Sequence, residues 1–305
     1  MKVEAYAKVN LTLEVFGERS DGYHALRSVV MPISLADTLE IEPTADGTIS
    51  SDTGYADDLC VRAAKALRRG ADAGRETRDA NLRGARISVT KRIPVGGGLG
   101  GGSADAAATL VALNVLWKLG KSREQLAEIG AQVGSDVPSL VLGGPVLMEG
   151  RGEKVTRLEL GRETGDVRRG QLDLVLVNPG VPSSTKEVYA ACSSRLPNDA
   201  TIVYNMQTAL AEGSVRKIAL ALMNDLQEPA VRLHPEIAEA MASLREAGAE
   251  GVLMSGSGST VFGLVPSEAR GREIAASLAA KGYWARSVHS VCPVPCEVCE
   301  KKKLP

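Results

Sequence analysis

Apolar residues occupy every second position at the start of the chain. Val3, Ala5, Ala7, Val9, Leu11, Leu13 and Val15 alternate with Glu4, Tyr6, Lys8, Asn10, Thr12 and Glu14. A period of two is that of a strand with one buried face. It predicts that Lys8 and Asn10 project from the opposite, open face, about 7 Å apart. Gly17–His24 reads as a turn, and Arg27–Leu35 and Thr38–Glu42 as two further strands. Asp57–Arg69 carries Leu59, Ala63, Ala66 and Leu67 at helical spacing, before a polar connection over 70–84. Ala85–Ile93 alternates again, so a strand leads into the glycine-dense stretch that follows. Ser103–Trp117 has Ala106, Leu110, Leu113 and Trp117 at spacings of three and four, the stripe of a helix. Ser122 and Gln125 form a capping box for a helix ending near Val133. Gly134–Gly144 reads as a loop, because Pro138 is unsuited to a helix interior. Val146–Glu149 and Val155–Leu160 bracket a hairpin signal.

A second pattern begins at Leu172 with a continuous apolar strand. Helices are predicted over Thr185–Ser194, Val215–Met223 and from His234 to about Ala247, the last with Pro235 at its first position. Strands Gly251–Ser255 and Thr260–Val265, helix Ser267–Lys281 and strand Trp284–Val291 complete it. The order is β-α-β-β-α-β with extra helices inserted, a ferredoxin-like arrangement. The expected class is α+β in two domains, residues 1–160 and 161–291, with a tail over 292–305.

Composition narrows the function more than the fold. The 305 residues favour two domains over one. Two Phe, two Trp and six Tyr leave the core to Leu, Val, Ile and Ala. A formal net charge of -1 gives no bulk electrostatic reason for a nucleic-acid or membrane partner. No apolar run is long enough to span a bilayer. Polar residues interrupt the N-terminal stretch where a signal peptide would be apolar, so a cytoplasmic protein is expected. Cys60 and Cys192 read as reduced core residues. Cys292, Cys296 and Cys299 fit either a metal site completed by His289 or a frayed tail.

The chemistry centres on PVGGGLGGGSADAAA, Pro94–Ala108, with six glycines between Gly96 and Gly102. Strand, glycine-dense loop and helix form a phosphate-binding arrangement. Without Cβ atoms several backbone N–H groups can converge on one anion, and the helix N-terminus adds partial positive charge. A Walker loop would end in Gly-Lys-Ser/Thr, whereas Gly102 runs directly into Ser103. A dinucleotide fingerprint would need an acidic residue about twenty positions on, at the end of a second strand, where a helix and a capping box stand instead.

The string Pro94–Ala108 resembles the signature loop of the GHMP kinases, small-molecule ATP-dependent kinases. Gly134–Pro138 (GSDVP) is similar to their catalytic-aspartate segment, and Leu253–Leu264 to their third, C-terminal glycine motif. The likeness extends over roughly residues 1–290. It implies a two-domain fold, an N-terminal ribosomal-S5-domain-2-like domain followed by a ferredoxin-like one. AKVNLTLEVFGERSDGYHALRSVV and NPGVPSSTKEVY resemble the member that phosphorylates a cytidine diphosphate-linked methylerythritol in the non-mevalonate isoprenoid route. Other members, of homoserine or mevalonate type, and a non-catalytic ligand-binding relative are the alternatives.

The resemblance implies ATP and Mg2+ as cofactors, a small-molecule substrate and a monomer or homodimer. It makes Asp136 the base for a substrate hydroxyl and Lys8 its charged neighbour. Pro94, Gly96, Gly97, Gly98, Gly100, Gly101, Gly102 and Ser103 would hold the nucleotide phosphates. Asn10 would bond the substrate, Tyr23, His24 and Tyr189 would read the cytosine, and Gly256 and Ser257 would close over the substrate or phosphates. The residue types suit those roles: a hydroxyl nucleophile must lose a proton, and aromatic faces stack on bases. Lys91 and Arg92 are further candidates for nucleotide charge; no metal ligand beyond a candidate Ser103 is assigned. Two departures from the family pattern carry expectations. Ser139, where an aromatic is usual, is expected to loosen the packing behind Asp136. Gly97 and Gly98, where alanine is common, are expected to add mobility.

Overall fold

The period-two pattern produces the strand it predicts, β1 (Lys2–Glu18). The computed structural model describes residues 1–18, 22, 24–72, 84–158, 171–193 and 200–291. Tyr23 and the cysteine-containing tail lie outside the described residues. The chain divides into two compact units, each discontinuous in sequence. One holds Met1–Ala7, Leu35–Ile93 and Gly100–Gly143; the other holds Lys8–Ser34, Pro94–Leu99 and the chain from Gly144 onward. β1 and β2 (His24–Thr44) contribute to both. The two strands expected over 27–42 are thus one strand of 21 residues.

In the first unit β2 pairs antiparallel with β4 (Gly84–Thr90), from Thr38 opposite Thr90 to Thr44 opposite Gly84. The short β3 (Ile49–Ser51) runs parallel to β4. Four helices pack together: α1 (Leu59–Asp72), α2 (Gly101–Leu116), α3 (Arg123–Gly130) and α4 (Val137–Leu142). α2 buries Ala104, Ala106, Ala107, Leu110 and Leu113. Its alanines let α1 approach closely, and α1 buries Ala63, Ala64 and Leu67. The Ser122–Gln125 capping box opens α3 as its sequence predicts. α4 corrects the expected loop. Pro138 occupies the first turn of that helix, where an N–H has no intrahelical acceptor to lose.

In the second unit β1 lies parallel to β8 (Met223–Asn224), with Thr12 opposite Met223. β2 pairs antiparallel with β5 (Val146–Gly150), which forms the predicted hairpin with β6 (Lys154–Arg157). A separate four-stranded sheet comprises β7 (Asp173–Asn178), β9 (Glu250–Met254), β10 (Val261–Val265) and β11 (Trp284–His289). Its order is β11-β7-β10-β9, with every pairing antiparallel. α9 (Glu236–Glu246) and α10 (Glu268–Ala280) pack on this sheet. Val175, Val177, Val261, Ile237, Leu244, Ile274 and Leu278 form the core between them. That is the ferredoxin-like order read from the sequence. Between β7 and β9 the chain also forms α5 (Thr185–Ala190), α6 (Thr201–Glu212), α7 (Val215–Ala221) and α8 (Gln227–Leu233). α6 and α8 have no counterpart in the predicted elements.

The polar face of β1 is the largest departure from the pattern. Lys8, Asn10, Thr12 and Glu14 are only 4%, 4%, 0% and 2% exposed, so the face predicted to be open is buried. Polar groups of β2 cover it. Ser28 faces Asn10, the Val29 amide donates to Thr12 Oγ1 at 2.9 Å, and Arg27 forms a two-pronged ion pair with Glu14 at 2.8 and 3.0 Å. Burial of such a face is tolerated because its polar atoms find partners.

Candidate active site

The glycine run serves two purposes, split between its halves. In the second unit, residues 96–98 thread against the turn between β9 and β10. A Cβ on Gly98, which has φ +75, would stand 2.1 Å from the Ser255 carbonyl oxygen. One on Gly97 would stand 2.8 Å from Thr260 Oγ1. The Ser255 hydroxyl donates to the Gly98 carbonyl at 3.0 Å, and the Thr260 amide donates to that of Gly97 at 3.2 Å. These two glycines therefore permit a close approach of backbones, and the expected mobility gives way to a fixed loop. Gly96 differs: with φ +69 and nothing within 4 Å of its Cβ position, it faces open space. Pro94 is half-buried at the entrance to the run.

In the first unit, Gly100 takes a left-handed conformation (φ 69, ψ 24) and α2 begins at Gly101. The first-turn amides of a helix have no intrahelical acceptor and suit a phosphate. Gly101 lies tight against Ile93, and Gly102 against Leu59. Ser103 is half-buried, its Oγ 3.7 Å from a Cβ built on Gly134. The start of α2 and the Gly134–Pro138 bend therefore meet. Asp136 is the N-cap residue of α4 by position, yet its carboxylate makes no cap hydrogen bond, so capping does not account for the residue. Ser139 is buried and donates to the Asp136 carbonyl at 2.7 Å. It tightens the segment it was expected to loosen.

Lys8 belongs to the second unit. Its amide donates to the Leu99 carbonyl at 3.0 Å, and a Cβ on Gly256 would stand 3.3 Å from its Nζ. The first glycine motif, the third motif and the opening-strand lysine therefore converge. Lys8 Nζ donates to Asn10 Oδ1 at 2.7 Å. Ser257 is anchored from the 183–185 segment: Ser183 Oγ donates to its carbonyl at 2.6 Å, and Thr185 Oγ1 pairs with its hydroxyl at 2.8 Å. Asn224 holds the turn from below, its Nδ2 donating to the Met254 and Gly256 carbonyls at 2.8 Å each. Nothing local in the sequence marks Asn224 or Ser183 for this turn, because their partners in it lie 30 and 32 residues away for Asn224 and 74 for Ser183. Asp136 belongs to the other unit.

His24 Nδ1 lies 3.3 Å from the Phe16 carbonyl oxygen, which can only accept, so Nδ1 carries the hydrogen. A neutral His24 then presents Nε2 as an acceptor. Its ring centroid is 5.5 Å from that of Tyr189 on α5, tilted by 33°.

Lys91 follows β4 and donates to Asp37 Oδ2 at 2.5 Å and to Asp105 Oδ2 at 2.7 Å. Asp37 Oδ1 accepts from the Arg92 and Ile93 amides at 2.5 and 2.9 Å. Lys91 is thus engaged by two carboxylates, and it fixes the end of β4 to α2. Burial raises the Asp105 carboxyl to about 7, opposed by the Lys91 hydrogen bond and charge and assisted by Asp37. For Lys91, burial lowers the pKa, but the two carboxylates outweigh it and the shift is upward. Cys60 is buried and reduced, its thiol pushed far up by burial and then by the Asp105 and Asp58 charges. Cys192 is half-buried, and its thiol lies 3.7 Å from the Asp225 carbonyl oxygen.

Among the described residues no three His, Cys, Asp or Glu side chains gather into a metal-binding group. Among the described residues no helix is long and apolar enough to cross a membrane.

Comparison with known proteins agrees with this arrangement. Residues 58–144 match the GHMP kinases N terminal domain, and residues 206–283 match the GHMP kinases C terminal family. A 4-diphosphocytidyl-2-C-methyl-D-erythritol kinase of Pelotomaculum thermopropionicum is 44% identical over 278 residues, covering 89% of this chain and 91% of that protein. One from Citrifermentans bemidjiense is 39% identical and covers 95% and 99%. A crystal structure of 4-(cytidine 5'-diphospho)-2C-methyl-D-erythritol kinase superposes with a TM-score of 0.76 at 35% identity, covering 95% of this chain and 99% of that one. With both family domains matched in order and relatives this similar along nearly the whole length, the chain belongs to the GHMP kinase family.

Proposed function

We propose that the protein transfers the γ-phosphoryl group of ATP to the C2 hydroxyl of 4-diphosphocytidyl-2-C-methyl-D-erythritol. The observation that carries this reading is the seating of Lys8 against both glycine motifs, its amide on the Leu99 carbonyl and its ammonium beside Gly256, in a chain whose relatives at 39% and 44% identity are kinases of that substrate. Both reactants are small water-soluble phosphates, which fits a cytoplasmic enzyme.

In this reading the phosphates lie at Gly96 and at the first-turn amides of α2, Gly101 to Ser103, where the helix dipole favours an anion. Magnesium, brought in with the nucleotide, would offset phosphate charge, and the Ser103 hydroxyl would offer it a ligand. Asp136 takes the proton of the C2 hydroxyl. The freed oxygen bonds to the γ-phosphorus, the bond to the bridging oxygen breaks, and ADP leaves. Lys8 steadies negative charge on the attacking oxygen. Positioning and charge carry most of the acceleration in phosphoryl transfer, which suits a site built from backbone and one ammonium. His24 and Tyr189, with Tyr23, read the cytosine: an acceptor at His24 Nε2 matches the exocyclic amine of that base. Gly256 and Ser257 cover the substrate.

A coupled ADP-release assay with a panel of alcohols tests the proposal. Turnover is expected with the cytidine substrate and not with homoserine or mevalonate. Turnover of homoserine with none of the cytidine compound would replace it with the homoserine reading.

A further inference from the structure

We infer that Ser28 is a positioning residue for phosphoryl transfer, acting on Lys8 through Asn10. The inference rests on the proposed role of Lys8.

The argument comes from the direction of a buried hydrogen-bond chain. An ammonium only donates, so the Asn10 atom 2.7 Å from Lys8 Nζ must be the carbonyl oxygen Oδ1. That places Nδ2 at the other end of the amide, where it donates to Ser28 Oγ at 2.8 Å. The Ser28 hydroxyl accepts that bond and gives its own hydrogen to the Thr12 carbonyl at 2.5 Å. A carbonyl only accepts, so the chain ends there. Every link has one permitted sense, from Lys8 through Asn10 and Ser28 to the backbone of β1.

The consequence is orientational. Without an acceptor at position 28, only the Lys8 bond orients the Asn10 amide, and its buried Nδ2 is left unpaired. An amide that shifts to recover a partner for Nδ2 moves Oδ1 off the ammonium, and Lys8 leaves its place beside Gly256. Ser28 is 1% exposed and Asn10 is 4% exposed, so water does not readily substitute. Asn10, assigned to the substrate by resemblance, has Oδ1 committed to Lys8 and Nδ2 committed to Ser28. In this chain its part is to hold the ammonium, while the second Nδ2 hydrogen and the second Oδ1 lone pair stay available to a substrate. Ser28 lies in β2, four residues beyond His24, in a stretch whose sequence signals only a strand.

Steady-state kinetics of Ser28→Ala, Asn10→Ala and the double variant test this, with thermal unfolding measured on each. Ser28→Ala is expected to lower kcat about 10- to 100-fold, the scale of a misplaced reacting group, while both KM values stay within about 2-fold. Ser28→Ala in the Asn10→Ala background is expected to change kcat by less than about 2-fold, because the link to Lys8 is already cut. Equal kcat for Ser28→Ala and the parent protein would overturn the inference, as would full additivity of the two substitutions. Should Ser28→Ala not fold, Ser28→Cys, similar in size but a poor acceptor, takes its place in the same cycle. Failure of the proposed function appears separately, as an unaltered protein inactive on the cytidine substrate. The cycle is then read on whichever alcohol that protein phosphorylates.

Discussion

Asp105 gives one carboxylate oxygen to Lys91 at 2.7 Å and buries the other with no hydrogen-bond partner. Asp37 shares the same ammonium, so one cation serves two buried carboxylates at the base of α2. Removing the cation would leave both uncompensated. Lys91→Met is expected to cost about 3–5 kcal/mol, the scale for breaking a buried ion pair. It should also raise KM for ATP more than KM for the alcohol, because the first turn of α2 loses its fixing point. Chemical denaturation and a KM comparison check the two halves.

The raised Asp105 pKa has a definite sign for stability. In the unfolded chain this carboxyl loses its proton near 4; in the folded protein it keeps it to about 7. Between those values the folded state binds more protons, so stability falls as pH rises through the window. The contribution is about 4 kcal/mol at most. Lys91, shifted upward, stays charged throughout and loses its contribution only at alkaline pH. Asp105→Asn is expected to flatten the decline in Tm between pH 5 and pH 8. An unchanged slope would mean that Asp105 does not titrate there.

Gly98 tests the packing of the two glycine motifs. Its φ of +75 alone makes an L-residue cost about 1–3 kcal/mol, and a methyl group 2.1 Å from a backbone oxygen cannot be relieved by turning a side chain. Gly98→Ala is expected to lower Tm and abolish ATP turnover, whereas Gly96→Ala meets only the φ penalty. Differential scanning calorimetry on the pair distinguishes them.

Asp136, as the proposed base, is tested by an isosteric change. Asp136→Asn should lower kcat about 10²- to 10⁴-fold, the range for losing a general base. Undiminished turnover would remove Asp136 from the reaction.

His24 offers a test of base recognition. His24→Phe keeps a ring near Tyr189 but loses both nitrogens. It is expected to raise KM for the cytidine substrate about tenfold or more, the scale of an unpaired buried polar group, and to leave KM for ATP unchanged. Equal shifts in both constants would count against a cytosine contact.

The sequence by itself determined the elements and the family. Alternation over residues 3–15 forces β1, the Ser122–Gln125 box starts α3, and the order from Leu172 to Val291 dictates the four-stranded sheet. Periodicity reports which side chains share a face, and glycine density reports where backbone must come close. Neither reports what lies on the other side. Tertiary structure decided that the polar face of β1 meets polar groups of β2 rather than water, and that the Cβ side of Gly98 meets the Ser255 backbone. It also decided that Lys91 is held by Asp37 and Asp105. Each depends on pairings between residues 13 to 157 positions apart, and local pattern carries no record of such partners.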